Sequence, residues 1–202
     1  KKKSNFETDL LFPIIQAAED LADRHCSEHG ARVAFNVIAD HMRAVVFLMA
    51  DGGRPSNEDR GYVLRRLIRR AAASLRKIGV SGPGLHRLVP RVVEMFADPY
   101  EELARQRTAV TDELRAEEDR FAKTLNVGME RLSRAMQELG RTGATRLPGE
   151  EAFVLYDTYG FPLDLTEEIL GEERMTVDRE GFNREMEAQK TRARAAFQAA
   201  HS

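Results

Sequence analysis

The chain has 202 residues, 42% of them apolar, with a single cysteine and a formal net charge of −2. That composition is enough for a buried core and argues against a disordered chain. It excludes an intramolecular disulfide and counts against sequence-blind nucleic-acid binding by a uniformly basic surface. No uninterrupted run of about 20 apolar residues is present, so no transmembrane helix is expected. Lys1-Lys2-Lys3 lacks the apolar stretch that follows in a signal peptide.

Almost every segment has helical period. Phe6 to Asp23 carries Leu10, Leu11, Ile14, Ile15, Ala18 and Leu21 at amphipathic spacing, with Pro13 read as lying near the first turn. A polar loop follows at Ser27 to Gly30. His25, Cys26 and His29 are metal-ligand types, but three ligands bunched in one turn without a distant fourth make a poor zinc site, so no metal is expected. From Val33 to Ala50 apolar residues fall on most sides, which predicts a central, buried helix. Within it, Asp40 and His41 are adjacent and expected to point in different directions, as structural polar residues rather than a catalytic pair.

Pro55-Ser56-Asn57-Glu58-Asp59-Arg60-Gly61 is a polar turn running into a helix from Arg60 to Arg76, whose apolar face is Tyr62, Leu64, Leu67, Ile68, Ala71 and Leu75. Its other faces carry arginines. Arg65, Arg66, Arg69 and Arg70 can line a sugar–phosphate backbone, because a guanidinium is a permanently charged fork that fits phosphate oxygens. The alternative is a solvated face paired with local carboxylates such as Glu58 and Asp59. Gly79 to Gly84, with Pro83, ends this helix.

Helices from Leu85 to Met95 and from Pro99 to Leu139 come next. The second shows a near-heptad stripe of Leu103, Val110, Leu114, Phe121, Leu125, Met129, Leu132 and Met136, read as a core seam in either a helical hairpin or one long helix. Gly140 to Gly149 is the clearest linker. Short helices at Glu150 to Tyr159 and Thr166 to Leu170 are separated by Gly160 and Pro162. Asp178 to Gln198 forms a charged last helix with Phe182, Met186 and Phe197 on its apolar edge. No strand pattern is evident. The expected fold is therefore all-α: a bundle-like larger helical subdomain over 1–143 and a smaller one over 144–202.

Charge is segregated along this frame. Between His41 and Lys77, nine basic residues face only Asp51, Glu58 and Asp59. The compensating acids gather later, at Asp98, Glu101, Glu102, Asp112, Glu113, Glu117, Glu118 and Asp119. This predicts a one-sided basic surface, with the acidic portion turned to solvent or repelling misplaced RNA.

Two blocks carry a resemblance. Asn36-Val37-Ile38-Ala39-Asp40-His41-Met42-Arg43, with Phe47 to Gly52 and the Pro55 to Arg70 run, resembles the central helical region of alanyl-tRNA synthetases. Leu155-Tyr156-Asp157-Thr158-Tyr159-Gly160-Phe161-Pro162-Leu163-Asp164-Leu165-Thr166 resembles the same family's later tRNA-recognition subdomain. Asn5 to Leu10 and Glu117 to Leu125 extend the likeness over nearly the whole chain.

The resemblance implies a part of a cytoplasmic class II alanine–tRNA ligase that clamps the acceptor stem of alanine tRNA and reads its G·U wobble pair. A wobble leaves the guanine N2 amino group unpaired in the minor groove, which in A-form RNA is wide and shallow. A carboxylate accepts from that amino group, and a primary amide both donates and accepts. Matching motif to motif, the implied readers are Asn57 and Asp157, with Arg69 at a phosphate or neighbouring base and Arg65 and Arg70 along the backbone. Taken by themselves, Asn57 or Ser56 equally suits a helix cap, Asp157 a surface position, and Tyr156 and Tyr159 packing.

No glycine-rich phosphate loop and no ATP-gripping arginine signature are found, so no catalytic residue and no cofactor are expected here. By the resemblance, the ATP-dependent domain lies before residue 1 and the metal-bearing editing domain after residue 202. The piece alone is expected to be a non-catalytic monomer. The rival expectation is a helical protein-interaction module on the same scaffold that has lost RNA.

Overall fold

The structure is a computed structural model that describes residues 4–28, 30–56 and 58–200, apart from the side chains of Ala193, Ala196, Phe197, Ala199 and Ala200. The fold is all-α, with 75% of residues helical. The edge role expected of Phe197 lies outside the described residues. Packing divides the chain into two compact units, residues 1–122 and 123–202. The division falls inside one long helix, well before the glycine-rich linker that suggested 143.

In the first unit, Ser4 and Glu7 form a capping box around a short 3₁₀ turn at Asn5–Glu7, and α1 then runs Phe12–Ala22. The helix starts later than its periodicity suggests because Pro13 is confined to the first turn: deeper in a helix its ring strikes the carbonyl four residues back. α2 (Arg32–Ala50) buries Phe35, Ile38, Met42, Val45, Val46 and Met49. Its length and apolar composition would suffice to cross a membrane. Instead α1, α3 (Asp59–Lys77) and α4 (Val89–Phe96) pack around it, and it serves as the central core helix.

α3 turns Leu64, Ile68, Ala71 and Leu75 inward, as its spacing predicts. A 3₁₀ turn at Leu85–Leu88 leads into α4, with Pro90 again in a first turn. α5 is a single 42-residue helix, Glu101–Thr142, rather than a hairpin. Its Leu103, Val110 and Leu114 join the core of the first unit.

The second unit begins within α5. After Gly143, at φ 73°, comes the strand β1 (Arg146–Leu147). It pairs in parallel with β2 (Thr176–Val177), Arg146 opposite Thr176 and Leu147 opposite Val177. β1 lies within the stretch read as linker, and β2 lies between the last two predicted helices, where the sequence shows no strand pattern. Between them are α6 (Gly149–Asp157) and α7 (Leu163–Glu172), each entered through a proline. α8 (Arg179–Ala200) follows. Asp178 accepts the Gly181 amide at 3.2 Å in the first turn of α8, and its Oδ1 also takes Arg146 at 2.8 Å.

α6 and α8 approach backbone to backbone. A Cβ on Gly149 would lie 2.1 Å from the Phe182 nitrogen, so only glycine fits there. Phe153, Tyr156 and Phe182 then close the seam, Tyr156 standing edge-on to Phe182 at 5.6 Å between centroids.

Candidate nucleic-acid interface

The turn ahead of α3 is built by short-range bonds. The Ser56 amide donates to the Gly61 carbonyl at 3.0 Å, and the Ser56 hydroxyl donates to the Glu58 carbonyl at 2.9 Å. Asp59 sits at φ 46°, a left-handed conformation that short polar residues tolerate best after glycine. Gly61 is required sterically: a Cβ there would meet Ser56 Oγ at 2.1 Å and the Arg54 carbonyl at 2.5 Å. The N-cap of α3 is Glu58, and the Ser56 hydroxyl bonds to that residue's backbone. Arg54, Ser56, Glu58, Asp59, Arg60, Gly61 and Val63 line a wide open depression of about 860 Å³ beside the turn. Asn57 itself lies outside the described residues.

Behind the turn, the arginines are not spread along a solvated face. Glu117 of α5 is fully buried, and three guanidiniums converge on its carboxylate. Arg69 donates through Nε and an Nη to Oε1 at 3.2 and 3.1 Å, and Arg120 donates twice to Oε2 at 3.1 and 2.9 Å. Arg65 places Nε 3.1 Å from Oε1 without aiming its hydrogen at it, a charge contact rather than a hydrogen bond. Its Nη2 reaches the Pro55 carbonyl at 3.4 Å.

The Arg69 guanidinium also lies 5.2 Å from the centroid of Phe121. Burial, followed by the like charges of Arg65 and Arg120, lowers its pKa against the pull of Glu117. It stays charged at neutral pH, as arginine does in proteins. Arg70 is half-buried further along α3, and its carbonyl accepts from Ser74 at 3.0 Å. Arg65 and Arg69 thus both meet a carboxylate that the sequence reading did not pair with them, 48 positions beyond Arg69.

The expectation that the acids from Asp98 to Asp119 face solvent therefore needs correction at two positions. Glu117 and Glu118 are buried, whereas Asp98, Glu101, Glu102, Asp112 and Asp119 are exposed. Glu118 accepts the backbone amides of Gly84, Leu85 and His86 at 2.8, 2.7 and 2.9 Å, with His86 Nδ1 also 2.9 Å away. It supplies an acceptor for the N-terminal amides of the 3₁₀ turn that leads into α4, which have no partner within the turn itself. Glu113 pairs with Arg54. A signal for the buried pair existed: Glu117 and Glu118 stand three and four residues after Leu114, in the phase of the apolar stripe.

In the second unit, the segment around Asp157 is held by α5. A Cβ on Gly128 would lie 2.4 Å from the ring of Phe161, itself fully buried, so Gly128 is the notch that receives that ring. Thr124 donates its hydroxyl to the Tyr159 carbonyl at 2.8 Å. Arg131 forms a fork with Glu151 at 2.5 and 2.8 Å while standing over the Tyr159 ring. That hydrogen-bonded carboxylate raises the Arg131 pKa. Tyr156 packs on Phe182, as described above. Asp157, at the last turn of α6, is exposed, and its Oδ1 accepts from the side-chain amide of Gln189 on α8.

Two further polar groups bear on the sequence reading. His41 Nδ1 and Asp40 Oδ2 lie 3.1 Å apart, so these neighbours do pair although adjacent on α2. Glu19, His25 and Cys26 bring their ligand atoms within 4.8 Å of one another. Glu19 Oε1 already accepts the Cys26 amide at 2.6 Å, and burial, followed by the hydrogen bond to Glu19, raises the thiol pKa. His29 lies outside the described residues.

Comparison with known proteins matches this chain to one family over residues 1–202, described as tRNA synthetases class II (A). Among curated proteins it is 51% identical over 196 residues to the alanine–tRNA ligase of Geobacillus thermodenitrificans, covering 96% of this chain and 22% of that protein. It is 46% identical over 200 residues to the alanine–tRNA ligase of Halalkalibacterium halodurans, covering 98% of this chain and 23% of that protein. The chain thus spans less than a quarter of the length of these relatives. With a helical fold, a buried charge hub behind a polar turn, and a family match along its whole length, the chain belongs to the class II (A) tRNA synthetases.

Proposed function

We propose that this chain is the part of an alanine–tRNA ligase that recognises the acceptor stem of alanine tRNA and reads its G·U wobble pair. The observation that carries this reading is the turn Pro55–Gly61: a glycine-dependent loop presented on a helix whose arginines are held in fixed positions by a buried carboxylate. Asn57 reads a base edge from this turn, and Asp157 reads one from the second unit. A carboxylate suits the guanine N2 amino group, because an ionised Asp only accepts. Asp157 is exposed, and the Gln189 amide leaves a second carboxylate oxygen to meet RNA.

Arg65, Arg69 and Arg70 border the reading turn as backbone contacts. Because Arg65 and Arg69 are anchored to Glu117, they present fixed forks, and less side-chain entropy is lost when phosphate docks. Catalysis belongs to other parts of a longer cytoplasmic protein, where ATP and any metal ion are bound. The chain alone is a monomer that performs no chemistry. The interaction-module reading draws on one feature, an apolar groove of about 390 Å³ lined by Met129, Leu132, Met136, Ile169 and Met175.

Substitution of each reader tests the proposal. Asn57→Ala and Asp157→Ala should each remove about 1–3 kcal/mol of preference for a wobble stem over a Watson–Crick stem, with little loss on the Watson–Crick RNA. Equal losses on both RNAs would reduce these residues to general contacts. Unchanged binding of both would remove them from the site.

A further inference from the structure

We infer that Glu19, His25 and Cys26 form a site for a divalent transition metal of the zinc type, separate from the metal ions of catalysis assigned above to other parts of a longer protein. The last turn of α1 and the turn after it bring one carboxylate, one imidazole and one thiol together, with all three ligand atoms within 4.8 Å of one another. By sequence, only His25, Cys26 and His29 suggested ligands, bunched in one turn. Folding adds Glu19, seven positions before Cys26. None of the three lines the depression beside the Pro55–Gly61 turn.

The spacing fits a tetrahedral ion. Zinc holds oxygen, nitrogen and sulfur at about 2.0–2.3 Å, which sets the ligand atoms about 3.3–3.8 Å apart. His25 Nδ1 and Glu19 Oε1 already stand 3.5 Å apart. The thiol, 4.8 Å or less from both, joins them with at most about an ångström of side-chain rotation. Backbone bonds hold the frame: the Cys26 amide donates to Glu19 Oε1 at 2.6 Å, and the His25 amide donates to Glu28, which Arg24 secures. His25 Nδ1 accepts the Ser27 amide at 3.3 Å and lies 2.8 Å from the Ser27 hydroxyl. A ring nitrogen that accepts an N–H carries a lone pair, the form in which imidazole binds metal, and a cation takes the place of those neutral donors.

Charge balances as well. On binding, the thiol gives its proton to solvent, so that thiolate and carboxylate together offset a divalent cation while the imidazole binds neutral. Burial, followed by the hydrogen bond to Glu19, favours the protonated thiol, and a cation seated between the two exchanges for that proton. A set of one sulfur, one nitrogen and one oxygen suits zinc or cobalt rather than calcium or magnesium, which take oxygen alone. Three protein ligands leave the fourth position to water. The Glu19 side chain is 13% exposed and that of His25 68%, so the carboxylate forms the floor and the imidazole closes the solvent side. The ion ties the end of α1 to the turn that leads towards α2.

The experiment titrates the chain with Co²⁺, whose thiolate-to-metal charge-transfer absorption reports sulfur ligation directly, and then displaces it with Zn²⁺. One equivalent of Co²⁺ should bind with that band, and Zn²⁺ should remove the band and raise the melting temperature, whereas Mg²⁺ should do neither. Even a partner behind a metal ligand contributes about 10–100-fold to affinity. Glu19→Gln, His25→Ala and Cys26→Ser should therefore each weaken Zn²⁺ binding by at least about tenfold, with Cys26→Ser also abolishing the band. His25 is the most exposed of the three, so its replacement leaves the core intact and decides the matter should another variant fail to fold. Cobalt bound without a thiolate band, or Zn²⁺ affinity undiminished in His25→Ala, would overturn the site and leave an adventitious ion only.

Discussion

The two units hold their proposed recognition segments by different physics. In residues 1–122 the polar turn is backed by ionic contacts: one buried carboxylate gathers Arg65, Arg69 and Arg120, and Arg65 hands that order on to Pro55. In residues 123–202 the segment around Asp157 is backed by shape, with Phe161 pressed into the notch at Gly128 and Phe153, Tyr156 and Phe182 packed together. Ionic order is strong but depends on every partner, because a buried charge left alone is costly. Steric order is insensitive to salt but tolerates little added volume.

The largest expected effect therefore lies at the hub. Glu117→Ala should destabilise the first unit by about 3 kcal/mol, because guanidiniums would lose their common carboxylate. Chemical denaturation with probes in each unit checks this, and a loss confined to 123–202 would reverse the comparison. Next comes Gly128→Ala, which should cost about 1–3 kcal/mol by overpacking against Phe161. Its effect should be independent of salt, whereas that of Glu117→Ala should vary with ionic strength. Similar salt dependence in both would erase the distinction.

Smaller effects sharpen the comparison. Arg131→Ala removes a fork to Glu151 in which both side chains remain partly exposed, at 40% and 25%. Such a pair contributes about 1 kcal/mol at most, so its melting temperature should barely move. Gln189→Ala should cost least in stability, since both it and Asp157 are exposed. It should alter wobble preference slightly by freeing the Asp157 carboxylate. A loss of stability as large as that of Gly128→Ala would make the Gln189 pair structural.

Much of the fold was legible because periodicity reports burial. α2 and α3 begin and end within a residue or two of their predicted limits, and Leu64, Ile68, Ala71 and Leu75 face inward as their spacing requires. The start of α1 was less legible because the apolar spacing from Phe6 onward continues smoothly across Pro13, which the backbone cannot. The division at 122 was hidden for another reason. Glycines at 140 and 143 mark where the chain turns, while packing changes earlier, where Gly128 accepts a ring from 33 residues further on.

The candidate site was legible by type but not by partner. Sequence shows that Arg65 and Arg69 are permanent cations flanking the inward face of Leu64 and Ile68, but charge alone does not say whether phosphate or protein receives them. Glu117 and Asp119 carry the same charge and lie two residues apart, yet one is buried and the other exposed. Helical phase is what separates them, since Glu117 falls between Leu114 and Phe121 on the inward stripe. Likewise Glu118 is one more acid in a charged run until the chain folds and three backbone amides arrive at it.

The most direct test of the central claim is the affinity ratio of the unmodified chain for two acceptor-stem RNAs that differ only in carrying a G·U or a G·C pair at the recognised position. A reader of the wobble pair should prefer the G·U stem by about 1–3 kcal/mol, with the ratio largely preserved as salt rises while both affinities fall. Equal affinities at every salt concentration would contradict the account and leave a helical scaffold that holds RNA, if at all, by charge alone.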